Sequence, residues 1–274
     1  MTDSVYSHCT LCPRRCGIDR RSAAGFCSES DKLRVARAAL HFWEEPCLSG
    51  AAGSGAVFFS GCGLKCVYCQ NGSIAHRNRG KDIDVYRLCE IFLELERQGA
   101  ANINLVTGAQ FVPHIVEALA MSRARGLRIP AVYNSGGYET IETLRMLEGH
   151  IDIYLPDFKY HDVKLAERLS HAADYPEKAE AAVDEMLRQA GDAVFDENGM
   201  MTRGVIIRHL VLPGHSDDSL QVLSRLYHRY GDRIYISIMN QYTPCGKFPT
   251  SPELSRRLTT YEYDKVVDFA RSLG

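Results

Sequence analysis

The feature that most constrains this chain is a group of cysteines with the spacing C-x3-C-x2-C, at Cys62, Cys66 and Cys69. They lie in the stretch SGCGLKCVYCQN, which follows directly on the apolar run AVFF. Three thiolates on one short loop suit a cuboidal iron–sulfur cluster, because such a cluster takes four ligands and three thiolates leave one iron open. A zinc knuckle without its fourth ligand and a disulfide loop are the alternatives, although structural zinc closes its tetrahedron with four protein ligands.

The wider stretch GSGAVFFSGCGLKCVYCQN, with Tyr68 just before the third cysteine, resembles the radical S-adenosylmethionine (radical SAM) enzymes. Within them it is most similar to the branch related to pyruvate formate-lyase activating enzyme. The resemblance implies a [4Fe-4S] cluster on Cys62, Cys66 and Cys69, with S-adenosylmethionine on the open iron. Tyr68 is the residue type that packs against an adenine or shields a cluster. The resemblance also implies an electron donor such as flavodoxin or ferredoxin, and hydrogen abstraction by a 5′-deoxyadenosyl radical.

Composition argues against several other classes of function. The 274 residues include 32 Lys and Arg and 34 Asp and Glu, a formal net charge of -2, and the charges are scattered. Neither nucleic acid nor an anionic membrane is therefore expected as a partner. No apolar run approaches the ~20 residues of a spanning helix and no signal core is present, so we expect a cytoplasmic protein. Ten cysteines in such a chain indicate metal binding or catalysis, because the cytosol keeps thiols reduced.

A second cysteine group lies near the N-terminus, with the spacing C-x2-C-x3-C-x10-C at Cys9, Cys12, Cys16 and Cys27. So short a segment has little core of its own, and metal binding can supply its folding free energy. Zinc and an auxiliary iron–sulfur cluster both suit four thiolates, and reduced, unmetallated or redox-paired thiols are the further alternative. We expect residues 1–50 to be a cysteine-rich, metal-binding module and linker. The CxLCPRxCG pattern recurs in the resembled branch, but pyruvate formate-lyase activating enzyme itself lacks it.

From residue 56 onward, short apolar runs alternate with amphipathic ones, which is typical of βα units around a parallel sheet. We predict strands at 56–60, 102–107, 129–134, 151–155, 204–211 and 234–239. We predict helices at 84–98, 113–125, 139–148, 176–191, 217–230 and 252–272. These units predict an α/β fold, a partial (β/α)6 barrel of parallel strands over residues 51–274, which matches the resembled enzymes. Cys89 falls on the apolar face of the first helix and is expected in the core.

Ligand sites in parallel sheets gather at the carboxyl ends of the strands, so the residues after each predicted strand are candidates. After the second strand, Gly108 stands where radical SAM enzymes place a glycine-containing turn against the cofactor, although the acidic residue often found there is absent. After the third strand, Asn134 and Ser135 are candidate cofactor contacts by position, and an ordinary capped turn is an equal competitor. Tyr133 stands where the activating enzymes carry an aspartate.

Charged residues follow the fourth strand and lie within the fifth. Asp157 and Lys159 are two residues apart on extended chain, so both side chains can reach one ligand from the same wall. The pair resembles the D-x-K of glycyl-radical activating enzymes, which meets the cofactor; a surface ion pair worth about 0–1 kcal/mol is the alternative. Arg208 lies among apolar residues and requires an anion, either a ligand carboxylate or an acidic side chain such as Asp157.

Two loops bear on the reaction. Cys245, after the sixth strand, could donate a hydrogen atom or ligate a metal, and a free thiol is the alternative. Glu44 and Glu45, before the first strand, are expected to be a solvated pair. The resemblance implies a radical SAM oxidoreductase that activates a glycyl-radical protein. Direct action on a small molecule or peptide, and a non-catalytic metal or redox-sensing protein, are the other hypotheses; the intact triplet with Asp157 and Lys159 argues against the last.

Overall fold

The molecule is built on one sheet, whose strands are numbered along the chain. A computed structural model describes residues 2–76 and 79–274. The strands are β1 (Arg34–His41), β2 (Ser54–Phe59), β3 (Lys81–Asp82), β4 (Ile103–Val106), β5 (Ala131–Ser135), β6 (Ile153–Pro156), β7 (Val194–Phe195), β8 (Met201–Leu210) and β9 (Tyr235–Met239). Their order is β3-β1-β2-β4-β5-β6-β8-β7, and β9 also pairs with β8.

The parallel part of the sheet confirms the predicted fold class. Strands β2, β4, β5, β6, β8 and β9 pair in parallel, each with the next, and they correspond to the predicted strands. Every residue of β4, β5 and β6 is buried, as expected for parallel strands covered on both faces. Within the described residues β9 does not pair with β2, so the barrel is partial and open.

Helices connect the strands. They are α1 (Thr2–Ser7), α2 (Pro46–Ser49), α3 (Gly72–Ala75), α4 (Val85–Arg97), α5 (Val112–Ala124), α6 (Ile141–Met146), α7 (Val163–Ser170), α8 (Tyr175–Ala190), α9 (Ser216–Tyr230) and α10 (Thr260–Leu273). The predicted helices from 84–98 to 217–230 are confirmed as α4, α5, α6, α8 and α9. Cys89, on α4, is fully buried as predicted. In the described part of the chain, no helix combines the length and the hydropathy needed to cross a membrane.

The predicted helix at 252–272 is wrong at its start. Pro252–Ser255 forms a short 3-10 turn, and α10 begins only at Thr260. Thr259 accepts a hydrogen bond from the backbone N–H of Glu262, and the Glu262 side chain accepts one from the backbone N–H of Thr259 in return. This reciprocal cap stabilises a helix start at that point. Glu262 also accepts a 2.7 Å hydrogen bond from the backbone N–H of Gly214, which ties the helix start to the loop after β8.

Strand β1 extends the sheet on its antiparallel side and was not predicted. It pairs with β2 from Val35 opposite Phe59 to His41 opposite Ser54. Its sequence RVARAALH shows neither strict alternation nor a continuous apolar run, so it lacks the pattern of a strand. The module boundary expected at residue 50 therefore does not coincide with an edge of the sheet. The chain before Arg34 has a small cluster of its own, around Tyr6, Cys9 and Leu11.

Helix α7 was also missed, and it positions the loop that carries the cysteine triplet. Asp162 caps it, because its carboxylate accepts a 2.8 Å hydrogen bond from the backbone N–H of Leu165. The helix ends at Ser170, and the next residue, His171, caps it in a left-handed conformation with φ of 53°. In its last turn the carbonyl of Leu169 accepts a 2.9 Å hydrogen bond from the backbone N–H of Val67. The cysteine loop is therefore held by main-chain contact with α7.

Candidate active site

The cysteine triplet lies on the loop between β2 and α3, at the carboxyl end of β2. Gly61, at the start of this loop, has a positive φ of 79°. A Cβ there would lie 2.7 Å from the carbonyl oxygen of Cys27, so glycine is required both by conformation and by space. Cys66 is buried, and Cys62 and Cys69 are half-buried. The loop thus presents its sulfurs away from bulk water.

A chain of three hydrogen-bonded hydroxyl groups ends at the sulfur of Cys66. Ser170 Oγ donates a hydrogen bond to Cys66 Sγ at 2.9 Å. The Tyr160 hydroxyl lies 2.6 Å from Ser170 Oγ and 2.7 Å from the Tyr68 hydroxyl, and these three side chains are buried. Burial raises the pKa of Cys66 and raises the pKa of Cys69 to about 12. A bound metal centre supplies the positive charge that such buried thiolates need.

A cavity of about 380 Å³ opens beside these cysteines. Small-molecule sites commonly measure about 300–1,000 Å³. The ends of the parallel strands β2, β4, β5, β6, β8 and β9 contribute to its wall, as expected for a ligand site in such a sheet. Its polar and thiol-bearing lining includes Glu44, Cys66, Tyr68, Cys69, Asn134, Asp157, Lys159, Arg208 and Gln241.

Asp157 joins two cations in this cavity. Lys159 Nζ lies 2.5 Å from Asp157 Oδ2, and Arg208 Nε lies 3.2 Å from Asp157 Oδ1. Burial opposes ionisation of Asp157, but Lys159 and Arg208 hold the pKa of this carboxyl below its ordinary value. Burial likewise opposes the charge of Lys159, but Asp157, together with the Cys66 and Cys69 thiols, raises the pKa of this lysine above its ordinary value. Both side chains of the Asp157–Lys159 pair are only 17% exposed, so the pair is charged and lies inside the cavity instead of on the surface.

Arg208 is held by protein groups on three sides. Arg208 pairs with Asp157, as described above, and it also has two further partners. Its Nη1 lies 3.2 Å from Glu44 Oε2, and its Nη2 donates to Asn134 Oδ1 at 2.8 Å. The sequence left open whether a ligand or an acidic side chain neutralises Arg208, and in the structure Asp157 and Glu44 do so. The Glu44 side chain is 7% exposed, so the expectation of a solvated glutamate at this position is wrong. Burial raises the pKa of Glu44, and Arg208 opposes this rise.

A model of the family described as the Radical SAM superfamily matches residues 56–227. The matched span contains the cysteine loop, Asp157, Lys159 and Arg208. The chain belongs to the radical SAM superfamily. Membership implies an enzyme with a [4Fe-4S] cluster and S-adenosylmethionine, which it cleaves with an electron from an external reductant.

Known proteins resemble this radical SAM enzyme to different degrees. "Uncharacterized protein MJ0674" of Methanocaldococcus jannaschii is 31% identical over 273 residues, which cover 97% of this chain and 75% of that protein. SuiB of Streptococcus suis aligns over 80% of this chain and 46% of SuiB, with a TM-score of 0.49 and 13% identity. Methylornithine synthase (PylB) aligns over 77% and 59%, with a TM-score of 0.48 and 14% identity. HydG, a maturase of the [FeFe]-hydrogenase, aligns over 77% and 47%, with a TM-score of 0.48 and 14% identity. This chain thus spans about half the length of these solved structures.

The cysteine loop fits the cuboidal cluster that radical SAM enzymes carry. Within residues 2–76 and 79–274, no three His, Cys, Asp or Glu side chains converge closely enough to hold a single metal ion. Each thiolate of a cuboidal cluster binds a different iron, so its ligand sulfurs lie farther apart than those around one zinc ion. Cys66 and Cys69 line the same cavity as Asp157 and Lys159. A cofactor bound at the open iron would therefore meet this charged pair.

The predicted cofactor contacts fall into two groups: Tyr68 and Asn134 line the cavity, and Gly108 and Ser135 are not part of its lining. A Cβ at Gly108 would lie 2.5 Å from Cδ1 of Ile115, so close packing against α5 accounts for that glycine. Ser135 Oγ donates to Glu139 Oε2 at 3.2 Å and accepts from a backbone N–H of its own turn at 3.3 Å. This is the geometry of the capped turn that competed with a cofactor role.

Cys245 lies on a loop that crosses the cysteine loop. Its sulfur is 3.6 Å from the carbonyl oxygen of Cys69. Beside it, Gln70 Nε2 donates to the carbonyl of Gln241 at 2.9 Å. The thiol is exposed, and partial burial raises its pKa. The structure therefore places the Cys245 thiol against the loop that holds the cluster ligands, but not in the lining of the cavity.

The N-terminal cysteines lie directly behind the cysteine loop. The backbone N–H of Cys62 donates to the carbonyl of Cys27 at 3.3 Å, and Arg14 Nε donates to the carbonyl of Gly63 at 2.8 Å. A second cavity lies at this junction. The thiol-bearing residues that line it are Cys9, Cys12, Cys16, Cys27 and Cys62.

Three side chains around the radical SAM site were not identified from the sequence: Glu44, Tyr160 and Ser170. Arg208 offered a signal for Glu44, because a guanidinium among apolar residues requires anions, but only a ligand carboxylate and Asp157 were considered as its partners. Tyr160 and Ser170 offered none. Ser170 is the last residue of α7 and Tyr160 precedes that helix. Because α7 was not predicted, its packing against the cysteine loop could not be used to place them near Cys66.

Proposed function

We propose that this radical SAM enzyme is of the activating type and generates a glycyl radical on a protein partner. The observation that carries the proposal is the pair Asp157 and Lys159, which lies in the cavity beside Cys66 and Cys69. The pair resembles the D-x-K of glycyl-radical activating enzymes. Flavodoxin or ferredoxin is the class of electron donor that this role requires.

In this proposal the chain's own residues bind and orient. Cys62, Cys66 and Cys69 hold the cluster, which supplies the electron that breaks the carbon–sulfur bond of S-adenosylmethionine. Lys159 and Asp157 are charged groups of low exposure that bind the polar end of the cofactor, and Asn134 adds an amide on the neighbouring strand end. Arg208 keeps Asp157 in place. The walls of the cavity limit access of water to a reactive radical.

The rim of the cavity suits a protein partner. Trp43 contributes to the lining and is 86% exposed, which is unusual for a tryptophan. Exposed tryptophans of this kind are frequent anchors of protein–protein contacts. A protein loop that enters the cavity would pass Trp43 before it reaches Lys159.

Direct action on a small molecule or peptide is the second candidate, and the loop after β9 favours it. Gln241 and Cys245 of this loop contact the cysteine loop, and Gln241 is part of the cavity lining. The Cys245 thiol would then be placed to return a hydrogen atom to a substrate radical.

The test uses the full chain, reconstituted anaerobically with iron and sulfide and reduced with dithionite. It is mixed with S-adenosylmethionine and with pyruvate formate-lyase or a glycyl-radical protein of the same organism. Release of 5′-deoxyadenosine together with a glycyl doublet in the electron paramagnetic resonance (EPR) spectrum of the partner supports the proposal. Release of 5′-deoxyadenosine without that doublet, for every such protein, overturns the activating role and leaves the second candidate. Trp43→Ala is expected to lower the glycyl-radical yield per S-adenosylmethionine cleaved, whereas Tyr261→Ala, at a residue 79% exposed on α10, leaves the yield unchanged.

A further inference from the structure

The N-terminal cysteines are not used by the function proposed above, and their surroundings resemble a built site. Glycines leave space for three of the sulfurs. A Cβ at Gly25 would lie 3.4 Å from Cys27 Sγ and 3.6 Å from Cys16 Sγ. A Cβ at Gly63, on the cysteine loop, would lie 3.3 Å from Cys12 Sγ. A side chain at Gly63 would therefore press on Cys12 Sγ, whereas a Cβ at Gly25 would be in ordinary van der Waals contact with the other two sulfurs.

A buried cation stands beside the fourth sulfur. Arg20 has no exposed surface, and its Nη1 lies 3.8 Å from Cys9 Sγ. Its guanidinium also donates to the backbone carbonyls of Glu29, Gln110 and Ser30 and lies over the rings of Tyr6 and Phe111. The buried carboxylate of Glu29 interacts with it electrostatically, but Arg34 shares that carboxylate. A buried cation is costly unless anions lie near it, and thiolate ligands of a metal centre would add negative charge at Cys9.

The spacing of the sulfurs favours a cluster over a zinc ion. The four cysteines line one cavity, yet in the described part of the chain no three potential ligands converge on a point suited to one metal ion. A structural zinc ion needs all its thiolates at about 2.3 Å from a single point. The triplet on the cysteine loop likewise does not converge on a point suited to one ion, and the superfamily implies a cuboidal cluster there.

The size of the module shows why it needs such a centre. Ahead of β1 its own apolar cluster contains only Tyr6, Cys9 and Leu11, with Val5 packed against it. Segments with so small a core are commonly held together by metal, whose binding free energy contributes directly to folding. Two of the three residues in this cluster lie at or next to the cysteine positions, so the apolar contacts and the metal ligands would stabilise the same short segment.

We propose that Cys9, Cys12, Cys16 and Cys27 bind a second cuboidal iron–sulfur cluster, adjacent to the cluster on Cys62, Cys66 and Cys69. Arg20 lies beside it as the buried counter-charge. A main-chain hydrogen bond joins Cys62 of one ligand set to Cys27 of the other, so the two sets lie next to each other in the fold. The proposal goes beyond the activating role and does not depend on which substrate loses its hydrogen atom.

The test removes the first cluster and asks what remains. A variant with Cys62, Cys66 and Cys69 all changed to Ala is reconstituted anaerobically with iron, sulfide and equimolar zinc, and its metals and acid-labile sulfide are counted. About four iron and four sulfide per chain are expected to remain. One zinc without iron, or neither metal, overturns the proposal. In this background Cys12→Ala is expected to remove the remaining iron, whereas Cys47→Ala, a half-buried cysteine outside both groups, leaves it in place.

A measurement on the unmodified chain covers the case in which the variants do not fold. The reconstituted native protein is expected to contain about eight iron per chain, and dithionite should reduce two centres whose EPR signals broaden each other through magnetic coupling. About four iron per chain overturns the second cluster, and two uncoupled signals overturn its adjacency to the first. None of these outcomes depends on the glycyl doublet, so failure of the activating role and failure of the second cluster are distinguishable.

Discussion

Ser170 donates a hydrogen bond to the sulfur of Cys66 across 2.9 Å, and both side chains are buried. Hydrogen bonds to ligand sulfurs are one of the means by which proteins set the reduction potential of iron–sulfur clusters. The reduced cluster carries one more negative charge than the oxidised cluster, and a hydroxyl that donates to sulfur stabilises the reduced form more. Ser170 should therefore make the cluster easier to reduce.

Ser170→Ala is expected to shift the midpoint potential of the cluster to a more negative value, because the donated hydrogen bond is lost. The measurement is an EPR-monitored redox titration of the reconstituted protein. Ser122→Ala is the matched control, since Ser122 is also fully buried but its hydroxyl donates to the carbonyl of Ala118 on α5. An equal midpoint in native protein and Ser170→Ala would show that this hydroxyl does not act on the cluster.

Cys66→Ala is expected to remove about four iron per chain, because the cluster loses its most buried ligand. Elemental analysis of the anaerobically reconstituted protein checks the loss. Cys89→Ala is the control, since Cys89 is also buried but lies on α4 away from both cysteine groups. Iron content that is unchanged in Cys66→Ala would mean that the triplet is not the ligand set.

Lys159→Met is expected to lower the rate of S-adenosylmethionine cleavage by about 100-fold, the loss that follows when a reacting group is misplaced by about an ångström. It removes a buried cation 2.5 Å from Asp157 while keeping a side chain of similar length. Production of 5′-deoxyadenosine under dithionite is the measure, with iron content as a check that the cluster is retained. Lys178→Met, which removes a surface lysine paired with Glu177, should cleave at the native rate. A native rate in Lys159→Met would remove this lysine from the site.

Glu139→Gln is expected to stabilise the protein as the pH rises. Burial raises the pKa of Glu139 to about 7, against an ordinary value of 4.5. The folded carboxyl therefore stays neutral between pH 4.5 and 7 while the unfolded one ionises, so native stability falls across this interval. The variant lacks this dependence and should exceed the native protein by an amount of the order of 3 kcal/mol above pH 7.

Thermal unfolding of both proteins at several pH values between about 5.5 and 8.5 checks this. The difference in Tm should grow up to pH 7 and then level off. Glu197→Gln, at an exposed residue, should show no such trend. A constant difference between native protein and Glu139→Gln would assign the ordinary pKa to Glu139.

The central strands could be predicted because each is short, apolar and followed by polar residues, and because covering on both faces requires that pattern. The cysteine triplet and the charged pair Asp157–Lys159 were likewise readable from local spacing. Strand β1 could not be predicted in the same way. Most of its residues are partly exposed. It forms a strand because its backbone pairs with β2, and nothing in the sequence RVARAALH indicates that pairing.

The partners of the site were harder to predict than its ligands. Glu44 and Arg208 are 164 residues apart in the sequence, and only the folding of the chain into the partial barrel brings the two side chains within 3.2 Å. Ser170 reaches Cys66 because α7 ends where it does. Gly108 was misleading because the sequence cannot distinguish a glycine required by close packing, here against Ile115, from a glycine required by a bound cofactor.

The pairing of β1 with β2 also decides which part of this protein can be exchanged as a unit. A cut at residue 50 would remove β1, which lies between β3 and β2 in the sheet, and would expose the backbone of β2 to other chains. A cut just before Arg34 would leave the sheet whole and remove the cysteine-bearing segment alone. An insertion, fusion or recombination that is to keep the sheet intact should therefore be made just before Arg34, inside the segment that the sequence suggested was a module and linker.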